Sequence, residues 1–491
     1  MKRLFAFALC ILMLLPLCAC ASSLAVEETL AEETVTAAKK PVKKEDPYAI
    51  TKDPISLPEG SCVGYCRVDV TPEQYPIYIS SGMNAKKALD PLYFTVVAFS
   101  DGETAALMIG TDLKGMGGEF YTKCTKAIEE VSGIPASHVF LNATHNHNAP
   151  AHNGTGVANI RWQALCLTRL KWAVREALKD LSPATAEIGH ADTTGFAFVR
   201  RYICEDGSLQ GIHHSITTGS PVVKHETEAD PDLQAIRFKR DGKKDVVMVN
   251  WQAHAAHAAI SVKDAVTADF IKEFRDGAEE KYDIHFAYYN GASGNINFST
   301  KLPELKAVQG GYKAVGTALV GKLGEALSNM EKVSLGKVGA VASKVDGVIR
   351  KDDPARLAEA QICQSANEKD RERLLKQYGF QSKYEANYMV ARSNSSSPRK
   401  LAVSAISFGD LGFAANSCEM FDTNAMEVKA ASPFKMTFVC GYTNGSNGYI
   451  PSAFAFDRGG YEVDTTYFVK GTGELLAQEL VTLLKTLHSA S

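Results

Sequence analysis

Two histidines spaced two positions apart are the first side chains of this sequence whose type and spacing suit chemistry. His145 and His147 lie in the run 144–150 (THNHNAP), directly after the β-rich segment 137–142. In extended backbone, residues two positions apart point to the same side of the chain, so both imidazoles can face one pocket. Such a pair suits a divalent metal, above all zinc. Paired histidines are also common as hydrogen-bonded structural residues, so the pair alone leaves both interpretations open.

A third histidine follows a second apolar run. His254 comes after 246–253 (VVMVNWQA), where a predicted buried strand gives way to small residues. A single histidine in this setting is usually a core residue, but a metal site begun by His145 needs a third ligand of this kind. The loop 290–297 (NGASGNIN) follows another predicted strand. Its glycines allow either a close backbone approach to a ligand or a simple tight turn.

Alternating strands and helices must position these residues. Turn residues at 100–102 separate two β-rich runs, which predicts a hairpin that feeds a central sheet. The charged helical segment 354–378 resembles a surface insertion or lid. The pattern predicts an α/β (mixed α+β) fold, with central β-sheets flanked by helices. The predicted strands are 92–98, 104–111, 137–142, 234–239, 245–251, 284–289 and 401–416, and the predicted helices are 117–131, 159–181, 310–332 and 472–488.

The N-terminal residues predict export and lipid anchoring. After Lys2 and Arg3, an apolar run too short to span a bilayer ends in a sequence that resembles a lipobox. We therefore expect 1–19 to be a lipoprotein signal peptide, Cys20 to be lipidated and 20–47 to be a flexible tether. An ordinary secretory signal with an incidental cysteine is the alternative.

The remaining residues, 48–491, are expected to form one domain. Over the whole chain 45% of residues are hydrophobic and 22% are charged, as in globular proteins, and the formal net charge is −3. No basic stripe stands out, which argues against nucleic acid as a partner. The predicted location is a bacterial membrane, facing the cell surface or the periplasm, with the N-terminal lipid as the membrane contact.

Several segments together resemble the catalytic domain of the neutral/alkaline ceramidases. The matching segments occur in the order found in that family and extend from about residue 60 to residue 475. Each motif is weak by itself, but their common order makes the resemblance specific. The segments are 64–72 (GYCRVDVTP), 144–150 (THNHNAP), 250–257 (NWQAHAAH), 266–270 (VTADF), 416–421 (NSCEMF), 444–451 (NGSNGYIP) and 459–463 (GGYEV).

The resemblance implies a zinc site. In that family two histidines, one glutamate and one tyrosine hold the metal, and the matching positions here are His145, His254, Glu419 and Tyr449. Two neutral imidazoles with oxygen ligands leave room for water or a substrate carbonyl. His147, beside the metal but outside this set, would act as general base or acid.

The resemblance also implies two further catalytic side chains. Tyr461 and an arginine would stabilise the oxyanion of a tetrahedral intermediate. Arg200 is the matching arginine, with the adjacent Arg201 as the alternative.

Three departures from the family pattern bear on substrate. The family serine in the loop 290–295 corresponds to Gly291 here, and Ser293 lies two residues later, so both belong to the predicted substrate loop. Ser417 and Cys418 replace a Pro-Gly pair. The chain is also expected to lack the β-sandwich domain that follows in typical ceramidases.

These observations predict a zinc-dependent hydrolase that cleaves an amide bond, with an N-acyl lipid such as ceramide as the substrate. The first alternative is a related zinc hydrolase acting on another acyl amide or ester. The second is a non-catalytic surface lipoprotein that binds a ligand or zinc. Against the second, the presumed ligands are scattered along the chain beside a tyrosine and an arginine, which is typical of a catalytic site.

Overall fold

A nine-stranded mixed sheet forms the centre of the fold. The structure is a computed structural model and describes residues 47–51, 53–213 and 218–490. Residues Tyr48–Ser491 form one compact unit. The predicted signal peptide, the lipidation site Cys20 and nearly all of the predicted tether lie outside the described residues, so those predictions stay untested.

The strands of the described residues have the following bounds. They are β1 (Cys62–Asp69), β2 (Ile77–Tyr78), β3 (Asn84–Ala85), β4 (Lys87–Ala88), β5 (Tyr93–Ser100), β6 (Ala105–Thr111), β7 (Val139–Ala143), β8 (Ser182–Asp192), β9 (Phe198–Val199), β10 (Tyr202–Cys204), β11 (Leu209–Gln210), β12 (Val222–His225), β13 (Asp232–Arg240), β14 (Val246–Trp251), β15 (Ala265–Val266), β16 (His285–Asn290), β17 (Ile296–Asn297), β18 (Glu331–Val333), β19 (Val338–Gly347), β20 (Arg399–Phe408), β21 (Leu411–Asn416), β22 (Glu419–Met420), β23 (Met436–Cys440) and β24 (Tyr449–Ile450).

The α-helices of the same residues surround these strands. They are α1 (Gly118–Ser132), α2 (Val157–Lys179), α3 (Ala258–Ser261), α4 (Phe270–Tyr282), α5 (Tyr312–Ser328), α6 (Pro354–Ser365), α7 (Glu368–Gln377), α8 (Lys383–Ser393), α9 (Asp422–Ala431), α10 (Tyr461–Thr465) and α11 (Thr472–Ala490). No helix among the described residues is both long enough and apolar enough to cross a bilayer.

The large sheet brings the ends of three motif-bearing strands together. Its strand order is β16-β14-β13-β8-β1-β5-β6-β7, and β18 pairs with β8. The edge strands β7 and β16 meet through the Asn142 side chain. Its Nδ2 donates to the Asn290 carbonyl at 3.2 Å, and its Oδ1 accepts from the Asn290 amide at 2.9 Å. The segments that follow β7, β14 and β16 therefore leave the sheet at neighbouring points.

A four-stranded sheet, β19-β20-β21-β23, packs on the large one. Buried aromatic residues of both sheets share one apolar core, in which Phe99 lies 5.3 Å from Phe408 and 5.4 Å from Phe413 between ring centroids. Helix α11 packs on the other face of the four-stranded sheet. The segment after β21 carries Glu419, and the segment after β23 leads to Tyr449. This second sheet therefore supplies the later motifs to the same region as the first.

Helices cover the outer faces of the large sheet. Helices α1 and α2 pack over β1 and β5, and α4 and α5 pack over β13, β8 and β16. The contact between β1 and α2 is so close that a Cβ atom at Gly64 would lie 1.9 Å from the Ala177 carbonyl oxygen. Only glycine fits there, which explains why the motif 64–72 begins with this residue.

The predicted α/β (mixed α+β) fold is confirmed. The predicted hairpin is formed by β5 and β6, which pair antiparallel, and the predicted helices correspond to α1, α2, α5 and α11. The segment 354–378 forms α6 and α7, which build a small apolar core of their own with α8. No predicted strand corresponds to β1, β8, β19 or β23.

Candidate metal centre

His145 is fixed by a backbone turn and a hydrogen bond from its ring. It lies two residues after β7, and its φ of 62° is left-handed, so this part of 144–150 is not extended as the spacing argument assumed. Its Nδ1 lies 2.8 Å from the Lys114 carbonyl oxygen, which makes that nitrogen the protonated donor. The lone pair on Nε2 is then free, and Nε2 lies 3.2 Å from His147 Nε2. The two rings converge as predicted, by a different backbone geometry.

His254 is oriented in the same way by another carbonyl. Its Nδ1 lies 2.6 Å from the Ser293 carbonyl oxygen, so this nitrogen also donates and Nε2 keeps its lone pair. The fixed tautomer and ring direction are typical of metal-binding histidines. Burial, followed by the charge of Arg200, lowers the pKa of His254 well below its usual value. A neutral imidazole is the form that binds a metal.

Glu419 completes the centre between these two rings. Its Oε2 lies 3.3 Å from His145 Nε2 and 3.4 Å from His254 Nε2. For bonds of about 2.0–2.2 Å, the ligand atoms of a tetrahedral zinc lie about 3.3–3.6 Å apart. The same Oε2 is buried and has no hydrogen-bond partner among the described residues.

Tyr449 stands on the other side of His254. Its hydroxyl oxygen lies 3.5 Å from His254 Nε2 and accepts a hydrogen bond of 3.0 Å from Arg200 Nη2. In sequence, Tyr449 is far from Glu419, but β22 and β24 pair in parallel and make the two residues register partners. The guanidinium beside the hydroxyl favours a phenolate ligand, although burial raises the pKa of Tyr449 well above its usual value.

The donor set fits zinc. Two imidazole nitrogens, one carboxylate oxygen and one phenol oxygen come together, which are ligand types that zinc accepts. The ring nitrogens of His145, His147 and His254 also lie within 4.8 Å of one another. The geometry thus brings all four ligands that the resemblance implies into one place, and it adds His147 at the edge of the set. The unsatisfied Glu419 oxygen is the strongest sign that a cation belongs there.

Arg200 and Arg201 occupy different places. Arg200 Nε donates to Glu462 Oε1 at 2.8 Å, and its Nη2 reaches Tyr449. Arg201 points away from the centre and pairs with Glu226, with Nη2 at 3.1 Å from Oε1. Its Nη1 lies 3.3 Å from Glu462 Oε2, so one buried carboxylate anchors both guanidinium groups. Of the two alternatives, the structure brings Arg200 to the candidate centre.

Tyr461 lies beside Arg200 and Tyr449. Its ring centroid is 5.6 Å from that of Tyr449 and 5.9 Å from Arg200 Cζ. Its hydroxyl has no hydrogen-bond partner among the described residues, so it can donate to a substrate. Burial raises the pKa of Tyr461, which keeps the donor protonated. Tyr384 of α8 packs against it at 5.8 Å, so the helix that reaches the site follows the predicted lid segment 354–378.

The loop after β16 supports the centre through its backbone. A Cβ atom at Gly291 would lie 3.0 Å from Gln252 Oε1, so this position faces packed protein. The Ser293 hydroxyl exchanges a 2.7 Å hydrogen bond with the hydroxyl of Tyr442. A Cβ atom at Gly294 would lie 2.4 Å from the Glu419 carbonyl oxygen. The loop therefore approaches the backbone that carries Glu419, and its predicted approach to a ligand stays a prediction.

Four contributors were missed by the sequence analysis. The backbone carbonyls of Lys114 and Ser293 orient the two histidines, and a pattern of side-chain types does not predict where a backbone carbonyl will point. Tyr442 stacks on His145, with ring centroids 4.1 Å apart. Glu462 is next to Tyr461 in the motif 459–463, where a carboxylate beside the tyrosine that the resemblance implies as catalytic could have been noticed.

A cavity of about 310 Å³ opens at this centre, with His145 and Glu419 on its wall. A substrate entering it would meet the ligand atoms of both residues directly. Pockets that place a few convergent polar groups at one end are typical of binding sites.

Solved structures share this architecture. No protein-family model and no curated protein sequence matches the chain. A structure of neutral ceramidase from Pseudomonas aeruginosa superposes with a TM-score of 0.67 at 14% identity, over 88% of this chain and 75% of that chain. A structure described as ceramidase complexed with C2 gives 0.66 at 13% identity, over 88% and 76%. The chain therefore has the fold of the neutral ceramidase structures, as the resemblance of its motifs predicts.

Proposed function

We propose that this chain is a zinc-dependent hydrolase that cleaves the amide bond of an N-acyl compound. The single observation that carries the proposal is the buried, unpaired Oε2 of Glu419 at 3.3 Å and 3.4 Å from two imidazole nitrogens. Without a shared cation, these three atoms would not stabilise one another, because both nitrogens direct lone pairs toward the carboxylate oxygen and no proton lies between them.

His145, His254, Glu419 and Tyr449 would hold the zinc ion. When bound, the ion would polarise the substrate carbonyl and lower the pKa of a water molecule. The ligands' own geometry supports this arrangement, because hydrogen bonds to two backbone carbonyls already fix the histidine tautomers.

His147 would transfer the protons. Burial is the first cause that lowers its pKa well below the usual value, and Lys114 is the second. Its neutral imidazole can accept a proton from the attacking water and give it to the departing nitrogen. The carbonyl carbon then gains the water oxygen and loses the nitrogen, which releases a carboxylic acid and an amine.

Arg200 and Tyr461 would stabilise the oxyanion. Arg200 is held by Glu462 and Gly294, with Nη2 3.0 Å from the Gly294 carbonyl oxygen, so the cation is fixed before substrate binds. The hydroxyl of Tyr461, which has no partner among the described residues, adds a neutral donor beside it. Donors that need no rearrangement during the reaction contribute most to stabilising developing charge.

The substrate class and location are proposals of the same kind. The neighbours of known structure are ceramidases, and their fold supports an N-acyl lipid such as ceramide as the substrate here. An N-terminal lipid at Cys20 would keep the domain at a bacterial membrane, where such a substrate lies. Gly291, in place of the family serine, supplies no hydroxyl for the reaction.

Two alternatives remain from the sequence. Hydrolysis of another acyl amide or an ester would use the same residues. A non-catalytic lipoprotein that binds zinc or a ligand would not need an unpartnered tyrosine hydroxyl and a pre-positioned arginine next to the metal ligands. This arrangement favours the hydrolase.

The test is hydrolysis of a fluorescent N-acylsphingosine by the purified chain, with zinc added or removed by a chelator. Zinc-dependent release of the fatty acid would support reaction and substrate class together. If zinc binds but no N-acyl amide is cleaved, including simple fatty amides, the proposed amide hydrolysis is wrong.

A further inference from the structure

The cavity beside the candidate metal centre is lined by Lys114, whose positively charged ammonium takes no part in the proposed proton transfers. We call this 310 Å³ space the Lys114 cavity, after the half-buried lysine on its wall. The Lys114 carbonyl holds His145, but the Lys114 ammonium forms no hydrogen bond or ion pair with any described residue. By contrast, the nearby Lys123 pairs with Glu119 at 2.8 Å. A partly buried ammonium beside a binding cavity, with no protein acceptor, is available for an anion.

The carboxylate on the cavity wall does not compensate this charge. Among the described residues that line the cavity, Glu419 alone carries a carboxylate, and its oxygen is directed to His145 and His254. A divalent cation held there would neutralise this carboxylate. The ammonium of Lys114 is therefore an uncompensated positive charge on the cavity wall.

Polar side chains occupy part of the remaining wall. His152, Asn153 and Ser446 line it, and the side chains of Asn153 and Ser446 have no hydrogen-bond partner among the described residues. The same three residues also border a second cavity of about 630 Å³. An acyl chain placed against these groups would leave them unpaired, which is costly. The polar half of an N-acyl substrate fits this space better than its acyl half.

We propose that the Lys114 cavity binds the amine side of the substrate, and that this side carries an anionic group, such as a carboxylate, sulfonate or phosphate, that pairs with Lys114. This inference rests on the proposed amide hydrolysis and narrows its substrate class. It applies to an anionic N-acyl lipid and to a smaller anionic acyl amide alike, because both present the same charged group next to the scissile bond.

The test compares two substrates that differ only in charge. N-octanoyl-β-alanine carries a carboxylate on its amine side, and N-octanoyl-β-alaninamide is its neutral analogue. The zinc-loaded full chain is assayed with each, and the released amine is measured with fluorescamine. We expect kcat/KM to be at least about tenfold higher for the anionic substrate, as a charge-assisted pair provides.

Variants assign that preference to one side chain. In Lys114→Gln the ratio of the two kcat/KM values should fall to about two or less, while Lys114→Arg should keep most of it. Lys126→Gln removes an exposed lysine of α1 outside the cavity and should leave the ratio unchanged. An equal loss on both substrates in Lys114→Gln, or no preference in the unmodified chain, would overturn the inference.

A binding measurement separates this inference from the proposed reaction. Calorimetry compares N-formyl-N-hydroxy-β-alanine, a hydroxamate that carries its carboxylate on the nitrogen side, with its carboxamide analogue on the zinc-loaded chain. If neither octanoyl compound is cleaved but the anionic hydroxamate binds more tightly in a Lys114-dependent way, the anion site stands and amide hydrolysis fails. If N-acylsphingosine is cleaved and charge makes no difference to cleavage or binding, hydrolysis stands and the anion site is wrong.

Discussion

Glu419 and Tyr449 are register partners in the short parallel pair formed by β22 and β24. Partners in register project their side chains to the same side of a sheet. Two oxygen donors are thereby delivered to the imidazoles of His145 and His254 by a separate two-stranded sheet, whose strands follow β21 and β23 of the four-stranded sheet. The imidazoles lie in segments that follow β7 and β14 of the large sheet. The candidate centre is built where these segments meet, so its geometry depends on how the two larger sheets pack.

Removing the Tyr449 hydroxyl should weaken zinc binding without unfolding the chain. Tyr449→Phe keeps the ring and the strand pairing but removes the oxygen at 3.5 Å from His254 Nε2. We expect zinc affinity, measured by competition with a chromophoric chelator, to fall by at least about tenfold. Tyr442→Phe is the control, because its hydroxyl bonds Ser293 and its stacking on His145 is retained. Equal affinities in both variants would remove Tyr449 from the ligand set.

Enlarging Gly294 should displace Glu419. In Gly294→Ala the new Cβ atom would lie 2.4 Å from the Glu419 carbonyl oxygen and 2.8 Å from that of Met420, so β22 must move. We expect weaker zinc binding together with lower thermal stability, because packed interiors yield little to an extra methyl group. Gly321→Ala in α5 meets no atom within 4 Å and should be neutral or stabilising. Unchanged zinc affinity in Gly294→Ala would show that β22 does not set the ligand position.

Replacing Arg200 should affect turnover more than metal content. Arg200→Lys keeps a positive charge but loses the fork that joins Glu462, Gly294 and Tyr449. We expect kcat to fall by about 10²–10³ at normal zinc occupancy, as for loss of an oxyanion donor.

Arg201→Lys is the matched control for that experiment. It disturbs the same buried network through Glu226 and should lower stability as well, because it also weakens a buried ion pair. Its kcat per folded, zinc-loaded molecule should stay within a few-fold of the unmodified value. The same loss of kcat in both variants would mean that Arg200 acts through the fold alone.

His147 should control turnover and the dependence of turnover on pH. His147→Ala should retain zinc, and its kcat should fall by a factor of about 10²–10⁴, the usual contribution of a general acid–base group. Since burial lowers the pKa of His147, its neutral form persists below the usual value of 6.5. Activity that depends on the neutral imidazole is then lost only as the pH falls through this lowered pKa. Full activity of His147→Ala across that range would exclude it from the reaction.

The two histidines of the centre were predictable because each follows a buried strand that leads into a loop. Nothing local distinguishes Glu419 or Tyr449, since a carboxylate after a strand and a tyrosine in a turn are ordinary surface features. Their assignment came from the order of motifs, and the structure places both beside His254. The choice between Arg200 and Arg201 required the structure, because the sequence does not show in which direction each of two adjacent side chains points.

The parts of the fold that sequence patterns missed have physical reasons as well. Strand β8 is rich in small and polar residues, and β19 has mostly partly exposed positions, so neither shows an apolar run. The left-handed backbone of His145 depends on the packing around it, which spacing does not reveal. Backbone carbonyls that orient metal ligands, such as that of Ser293, are invisible in sequence for the same reason.

His145 and His254 are proposed to hold a metal together with Glu419. The most direct test is the zinc content per chain, measured by mass spectrometry after dialysis of the unmodified protein, His145→Ala and His254→Ala. His190→Ala is the control, because that exposed histidine pairs with Asp232 at 2.8 Å, away from the centre. We expect about one zinc in the unmodified chain and the control, and almost none in the other two variants. Full zinc content in both of those variants would show that these histidines do not hold the metal.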